Sequence, residues 1–143
     1  MELRQITETY HVSPQIDPED APAIAEAGVK LVICNRPDSE VPPSHQAEQV
    51  EKAVRAAGVD FAALPLTHQT MTPENVAKQA ELVESAGGKV LAYCASGTRC
   101  SVVWALGQAG ERPTDEILAA TARAGYMLDG LRPTLDAMAA QKG

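Results

Sequence analysis

The chain has 143 residues, 45% of them apolar, enough to bury a core in one domain spanning residues 1–143 and too apolar for a disordered segment. Its formal charge of −7 has the wrong sign for tracking nucleic acid or an anionic membrane, though a small local anion pocket remains compatible with it. Met1-Glu2-Leu3-Arg4-Gln5-Ile6 carries no apolar signal core and no run of eighteen apolar residues follows, so a cytoplasmic protein with neither nucleic-acid nor membrane partners is expected. Three cysteines, Cys34, Cys94 and Cys100, make no disulfide framework. His11, His45 and His68 stand singly, so neither a metal nor another cofactor is expected.

In chain order, residues 3–12 alternate weakly and predict an opening strand or hairpin. Asp17-Pro18-Glu19-Asp20 reads as a helix start, with a capping Asp, Pro at the first helical position and acids facing the helix dipole; Gly28 stops it. Val29-Lys30-Leu31-Val32-Ile33-Cys34 has the β-branched content of a central strand, ended by the Asn35-Arg36-Pro37-Asp38 turn. Ser44 is placed to cap a helix through about Ala57, with Gly58 as its stop and Glu48 pairing Lys52 on its surface. Residues 59–66 predict the next strand, and Thr72-Pro73-Glu74 opens a helix that ends at Gly87-Gly88. A strand then leads to Cys94 and only helices follow: one capped at Thr114-Asp115-Glu116 and stopped by Gly125, one from Leu131 or Thr134 to Ala140. Strands alternating with helices predict an α/β fold in three layers, with a mainly parallel central sheet flanked by helices.

The chemistry sits in residues 90–106. Val90-Leu91-Ala92-Tyr93 reads as a strand buried on both faces, and Val102-Val103-Trp104-Ala105-Leu106 as a packed helix. Cys94 then lies where strand hands over to helix, where parallel sheets open their ligand crevice and helix N–H groups point at an anion. Positive potential from the helix start and Arg99 favours the thiolate, the reactive form of a cysteine. Gly97 lets the backbone curl its N–H groups inward. A purely structural cysteine needs neither Gly97 nor Arg99 at those places, so Cys94 is expected to be a nucleophile and Arg99 its anion partner. Cys100 reads as a resolving thiol or, preferably, as a plain replacement for serine, and Cys34 as core. Arg36 and Asp38 line the pocket or pair with each other within their turn. His68 is a proton donor or, preferably, a polar rim residue; Tyr93, Trp104 and Tyr126 read as core packing.

Cys94-Ala95-Ser96-Gly97-Thr98-Arg99 has Cys-x4-Arg spacing and resembles the rhodanese active-site loop. That resemblance implies that Cys94 takes sulfane sulfur from thiosulfate or a persulfide and passes it to a thiol such as glutathione. Ala95, Ser96, Gly97, Thr98 and Cys100 would be the substrate cradle. The order of elements instead resembles the dual-specificity phosphatases, because the cysteine loop comes late and helices alone follow it. Phe61-Ala62-Ala63-Leu64-Pro65-Leu66-Thr67-His68 resembles the strand and loop that carry the acid of those enzymes, with His68 in its slot. Their motif, His-Cys-x5-Arg, is departed from at Tyr93 and at Cys100, which stands where the arginine belongs.

Both likenesses meet in the phosphatase-like domain of the bacterial beta-lactamase-hydrolase-like proteins, which residues 3–110 resemble. The matching stretches are Val32-Ile33-Cys34-Asn35-Arg36-Pro37-Asp38, Leu64-Pro65-Leu66 and Tyr93-Cys94-Ala95-Ser96-Gly97-Thr98-Arg99. The resemblance implies a cysteine-dependent phosphatase fold and sulfur transfer beside a separate persulfide dioxygenase. The expected function is thus a sulfurtransferase acting on a small anionic sulfur substrate. A phosphatase working through a phosphocysteine at Cys94 is the alternative, and a non-catalytic anion-binding or thiol redox-sensing module is the third reading.

Overall fold

In the computed structural model, which describes residues 2–142, the strands are β1 (Arg4–Gln5), β2 (Tyr10–Ser13), β3 (Val29–Cys34), β4 (Asp60–Ala63) and β5 (Lys89–Tyr93). They form one sheet in the order β1-β2-β5-β3-β4. β1 and β2 are an antiparallel hairpin, and every other pairing is parallel. Tyr93 pairs with Ser13 on one side and Cys34 on the other, and Cys34 pairs with Ala63. Four parallel strands therefore end at one level, and Cys94 emerges at its centre.

The helices are α1 (Ala21–Glu26), α2 (Ala47–Ala56), α3 (Pro73–Ser85), α4 (Thr98–Gln108), α5 (Thr114–Arg123) and α6 (Arg132–Lys142). Alternate residues of β5 enter opposite cores, as a two-residue strand period requires. Val90 and Ala92 join Val76, Val103, Trp104, Ile117 and Leu135 from α3–α6, while Leu91 and Tyr93 join Ile24, Val50 and Val54 from α1 and α2. This is the expected three-layer α/β arrangement. It explains the continuous apolar run before Cys94: a strand covered on both faces has no side left for polar residues.

Several boundaries differ from expectation. Asp17 leads into a 3-10 turn, Pro18–Asp20, before α1 begins at Ala21. Ser44 does not cap α2; it sits in the turn Pro43–His45 with its hydroxyl on His45 Nδ1. The Ala47 N–H donates instead to Asp38 Oδ1 at 2.8 Å, a carboxylate nine residues upstream. The strand over 59–66 stops at Ala63 because Pro65 has no N–H for a ladder; Leu64 and Leu66 still donate to the Cys34 and Asn35 carbonyls, both at 2.9 Å. Thr114 is the first residue of α5 rather than its cap, and its hydroxyl reaches Asp136 of α6. The Thr72 cap is as predicted, its hydroxyl accepting from the Asn75 N–H at 3.2 Å.

Candidate active site

Cys94 is buried, and its Sγ accepts the Gly97 N–H at 3.1 Å. The chain turns there through Gly97 at φ +94°, a left-handed conformation that side-chain-bearing residues rarely adopt. The Gly97 carbonyl is then taken by the Ser101 N–H at 3.1 Å and the Ser101 hydroxyl at 2.9 Å, which closes the first turn of α4. Ser96 and Thr98 face the rim, their hydroxyls 2.9 Å apart, while the Ala95 carbonyl accepts the Gln15 N–H.

The Cys94 thiol is pulled down from its ordinary value to about 5. The largest cause is a hydrogen bond from the Cys100 thiol; burial opposes it, and the backbone N–H groups of Cys100, Gly97 and Arg99 reinforce it. Burial and the same contact push Cys100 well above its ordinary value, so Cys100 keeps its proton and donates. The Cys100 thiol thus bears on the ionisation of Cys94, as a serine hydroxyl at the same place also would. All three cysteines are free, so no resolving disulfide exists in this state. Cys34 is buried as expected, its thiol donating to the Arg36 carbonyl.

Alkylation of Cys94 by iodoacetamide should follow its thiolate, rising through about pH 5 and reaching a plateau near pH 7. Cys100→Ala should move that midpoint up by about one pH unit, and Cys100→Ser, which keeps a donor, should restore most of it. An unmoved midpoint in Cys100→Ala would remove Cys100 from this role. The same shift makes folding pH-dependent. An unfolded thiol titrates near 8.5, so the stability from the Cys94 thiolate is full above about pH 8.5 and is lost as pH falls to the folded value.

Arg99 makes two bonds to one carboxylate, Nη1 to Glu40 Oε2 at 2.8 Å and Nη2 to Glu40 Oε1 at 2.7 Å, and Nη1 also donates to the Leu66 carbonyl at 2.9 Å. A planar guanidinium has five N–H donors. With the end-on fork and the outer Nη1 hydrogen engaged, the Nε–H and the adjacent Nη2–H remain as one side-on fork, and the guanidinium also interacts with the Cys94 thiolate. Such a fork matches two oxygens of a tetrahedral oxyanion. Glu40 is held below the usual carboxylate range, first by the hydrogen bond from Arg99 and then by Arg36 against the opposing effect of burial.

Arg36 does not pair with Asp38. It reaches Glu40 Oε1 at 3.3 Å, the Glu40 carbonyl at 3.2 Å and Gln15 at 3.2 Å, while Asp38 turns away to Ala47. Arg36 therefore braces the carboxylate that braces Arg99. A pocket of about 630 Å³ opens over the loop, lined by Glu40, Thr67, His68, Gln69, Ser96, Thr98 and Arg99. His68 is exposed in its wall, and neither Arg36 nor Asp38 lines it. Among these lining residues the one carboxylate is Glu40, already bonded to Arg99.

Sequence reasoning missed Glu40, because nothing local marks an acid on the 36–46 loop as the partner of an arginine 59 positions away. It also missed a buried relay behind the loop. Asn35 Nδ2 donates to Gln79 Oε1 at 2.9 Å, Gln79 Nε2 donates to the Tyr10 hydroxyl at 3.2 Å, and that hydroxyl donates to the Cys100 carbonyl at 2.8 Å. The available signal was Gln79 at helical spacing from Val76 and Val83, which puts an amide on the apolar face of α3, where it must find partners. Tyr93 and Trp104 pack in the core as predicted, Trp104 stacked on Tyr10. Tyr126 is also buried, but its hydroxyl donates to the Ser96 carbonyl at 2.8 Å and so touches the loop.

A mainly parallel sheet with a late cysteine loop at its centre, an arginine behind the cysteine and helices alone thereafter defines a cysteine-dependent phosphatase-like protein. The family model for the beta-lactamase hydrolase-like protein, phosphatase-like domain, matches residues 2–111, and the chain belongs to that family. It is 31% identical over 109 residues to a beta-lactamase hydrolase-like protein of Agrobacterium fabrum, covering 76% of this chain and 25% of that protein. The chain thus spans about a quarter of the length of that curated relative. It is similar to a putative phosphatase of Neisseria meningitidis of known structure, with 36% identity, a TM-score of 0.86, and 96% and 99% of the two chains covered. The active form of Tk-PTP shares the fold at 18% identity and a TM-score of 0.69, over 99% and 97% of the two chains. No helix among the described residues is long and apolar enough to cross a membrane.

Proposed function

We propose that the chain is a cysteine-dependent sulfurtransferase that takes sulfane sulfur from a small oxyanionic donor such as thiosulfate and passes it to a thiol such as glutathione. One observation carries this reading: Arg99 and the loop residues Ser96 and Thr98 line the pocket beside a buried low-pKa Cys94 thiolate, while the one carboxylate among the lining residues is held ionised by Arg99. In the first step the Cys94 thiolate attacks the outer sulfur of thiosulfate. A new S–S bond forms, the old one breaks, and sulfite departs with the bonding pair. Sulfite needs no proton to leave, so the missing acid costs this reaction little. The Arg99 fork grips two sulfonate oxygens, and the Gly97, Arg99 and Cys100 N–H groups that face Cys94 stabilise the persulfide anion. An incoming thiolate then attacks the outer sulfur and leaves as a persulfide, returning Cys94 to its thiolate. A persulfide dioxygenase on another chain is a fitting consumer of that product.

The second reading, a phosphatase, has the stronger backing from the relatives, whose descriptions speak of phosphatases or a phosphatase-like domain. In it Cys94 attacks phosphorus, Arg99 holds two equatorial oxygens, and His68, the one histidine in the pocket wall, protonates the departing oxygen. Intact-protein mass spectrometry after brief exposure to thiosulfate, and separately to an aryl phosphate, distinguishes the two. One added sulfur on the wild type, absent from Cys94→Ser and removed by excess thiol, supports sulfur transfer. A phosphate-sized adduct without a persulfide makes the chain a phosphatase, and His68→Ala should then slow ester cleavage by about a hundredfold. Neither adduct leaves the redox-sensing or anion-binding module.

A further inference from the structure

The family match ends at residue 111, yet a side chain well beyond it reaches the cysteine loop. Tyr126 follows α5, buried, with its N–H on the Thr121 carbonyl at 2.9 Å. Its hydroxyl donates to the Ser96 carbonyl at 2.8 Å and accepts from Arg4 Nη1 at 3.1 Å, and the Arg4 guanidinium lies 5.4 Å from the centre of its ring. The phenol is seated on Gly97 so closely that a Cβ there would overlap its oxygen.

The Ser96 carbonyl and the Gly97 N–H belong to one planar trans peptide, so they point in opposite directions. Fixing the carbonyl on Tyr126 therefore aims the N–H at Cys94 Sγ, 3.1 Å away. Gly97 is the residue at which such a peptide turns over most readily, because it lacks a Cβ. Turned over, the peptide would present a carbonyl oxygen where the thiolate needs a donor. The Tyr126 hydroxyl is the partner that the structure provides for the Ser96 carbonyl, and Arg4 saturates that hydroxyl from the other side so that its proton stays on Ser96.

We propose that Tyr126, held by Arg4, is a positioning residue that locks the Ser96–Gly97 peptide with its N–H facing Cys94. The segment after residue 111 thus helps to set the reactivity of a nucleophile that the family-matched part carries. The inference rests on Cys94 being the reactive thiolate and holds whether the group transferred is sulfur or phosphoryl.

The test is the pH profile of Cys94 alkylation by iodoacetamide, read by mass spectrometry on the whole chain. Tyr126→Phe keeps the ring and removes the hydroxyl, and its midpoint should rise by about one pH unit. Arg4→Met should shift it the same way by less, and the double variant should shift no further than Tyr126→Phe alone, since Arg4 acts through that hydroxyl. Thermal melts followed by circular dichroism show that each variant is folded. Should Tyr126→Phe fail to fold, Arg4→Met carries the test with the phenol in place. A midpoint unmoved in folded Tyr126→Phe, or in Arg4→Met where Tyr126→Phe does not fold, overturns the lock. A wild-type profile without an inflection below about pH 7 would overturn the thiolate reading itself, and with it the premise of the lock.

Discussion

Arg99→Lys should lower kcat/KM for sulfur transfer from thiosulfate by about two to three orders of magnitude. Arg99, which lines the pocket and interacts with the Cys94 thiolate, uses three of its donors on Glu40 and the Leu66 carbonyl and keeps its Nε–H and one Nη2–H outside those bonds. A lysine ammonium has three donors on one atom and does not span those partners and an oxyanion together. It also leaves Glu40 half-paired in the pocket wall, where its charge repels an anionic donor. The loss should depend on the donor: glutathione persulfide brings no sulfonate to grip, so its transfer should fall less than about tenfold. Steady-state rates with both donors check this. Equal losses would mean that Arg99 acts chiefly by holding the loops bearing Glu40 and Leu66, not by binding the substrate oxyanion.

Gly97→Ala should cost about 1–3 kcal/mol of stability and at least about a hundredfold in turnover. Two independent penalties coincide there: an alanine at φ +94° is strained, and its Cβ overlaps the Tyr126 hydroxyl. Because the overlap is relieved when Tyr126 is shortened, Gly97→Ala with Tyr126→Ala should destabilise less than the sum of the two single changes. Urea unfolding of the four chains of that cycle measures the coupling. Additive effects would mean that the backbone strain at residue 97 is the whole penalty and that the phenol does not press on the loop.

Much of this arrangement was legible in advance wherever the controlling physics is local. The β-branched run from Val29 to Cys34, the Thr72 cap and the buried run before Cys94 each signal their element within a few residues. The Cys94–Arg99 loop is equally local, because a strand end, a glycine and a helix start aim backbone N–H groups at one point without outside help. Ser44 shows the limit. By its neighbours it was a sound cap, yet Asp38 took the position because the 36–46 loop folds back over the start of α2. Cap identity is settled by competition between side chains, and the competitor lay outside the local pattern.

Sequence alone was sufficient for the layer architecture, the parallel sheet and the placement of Cys94 at its carboxyl edge, since hydrophobic periodicity, turn residues and caps act over one or two turns of chain. Tertiary structure decided what surrounds that sulfur. Glu40 orienting Arg99, the Gly97 N–H aimed at Cys94, and Tyr126 and Arg4 meeting over Ser96 are contacts between loops and helix ends far apart in the chain or brought together by the turn into α4. Periodicity says which face of an element is buried but carries no information about which loop lies opposite it. That was settled only when the two apolar faces of the sheet were covered and the strand ends came to one level.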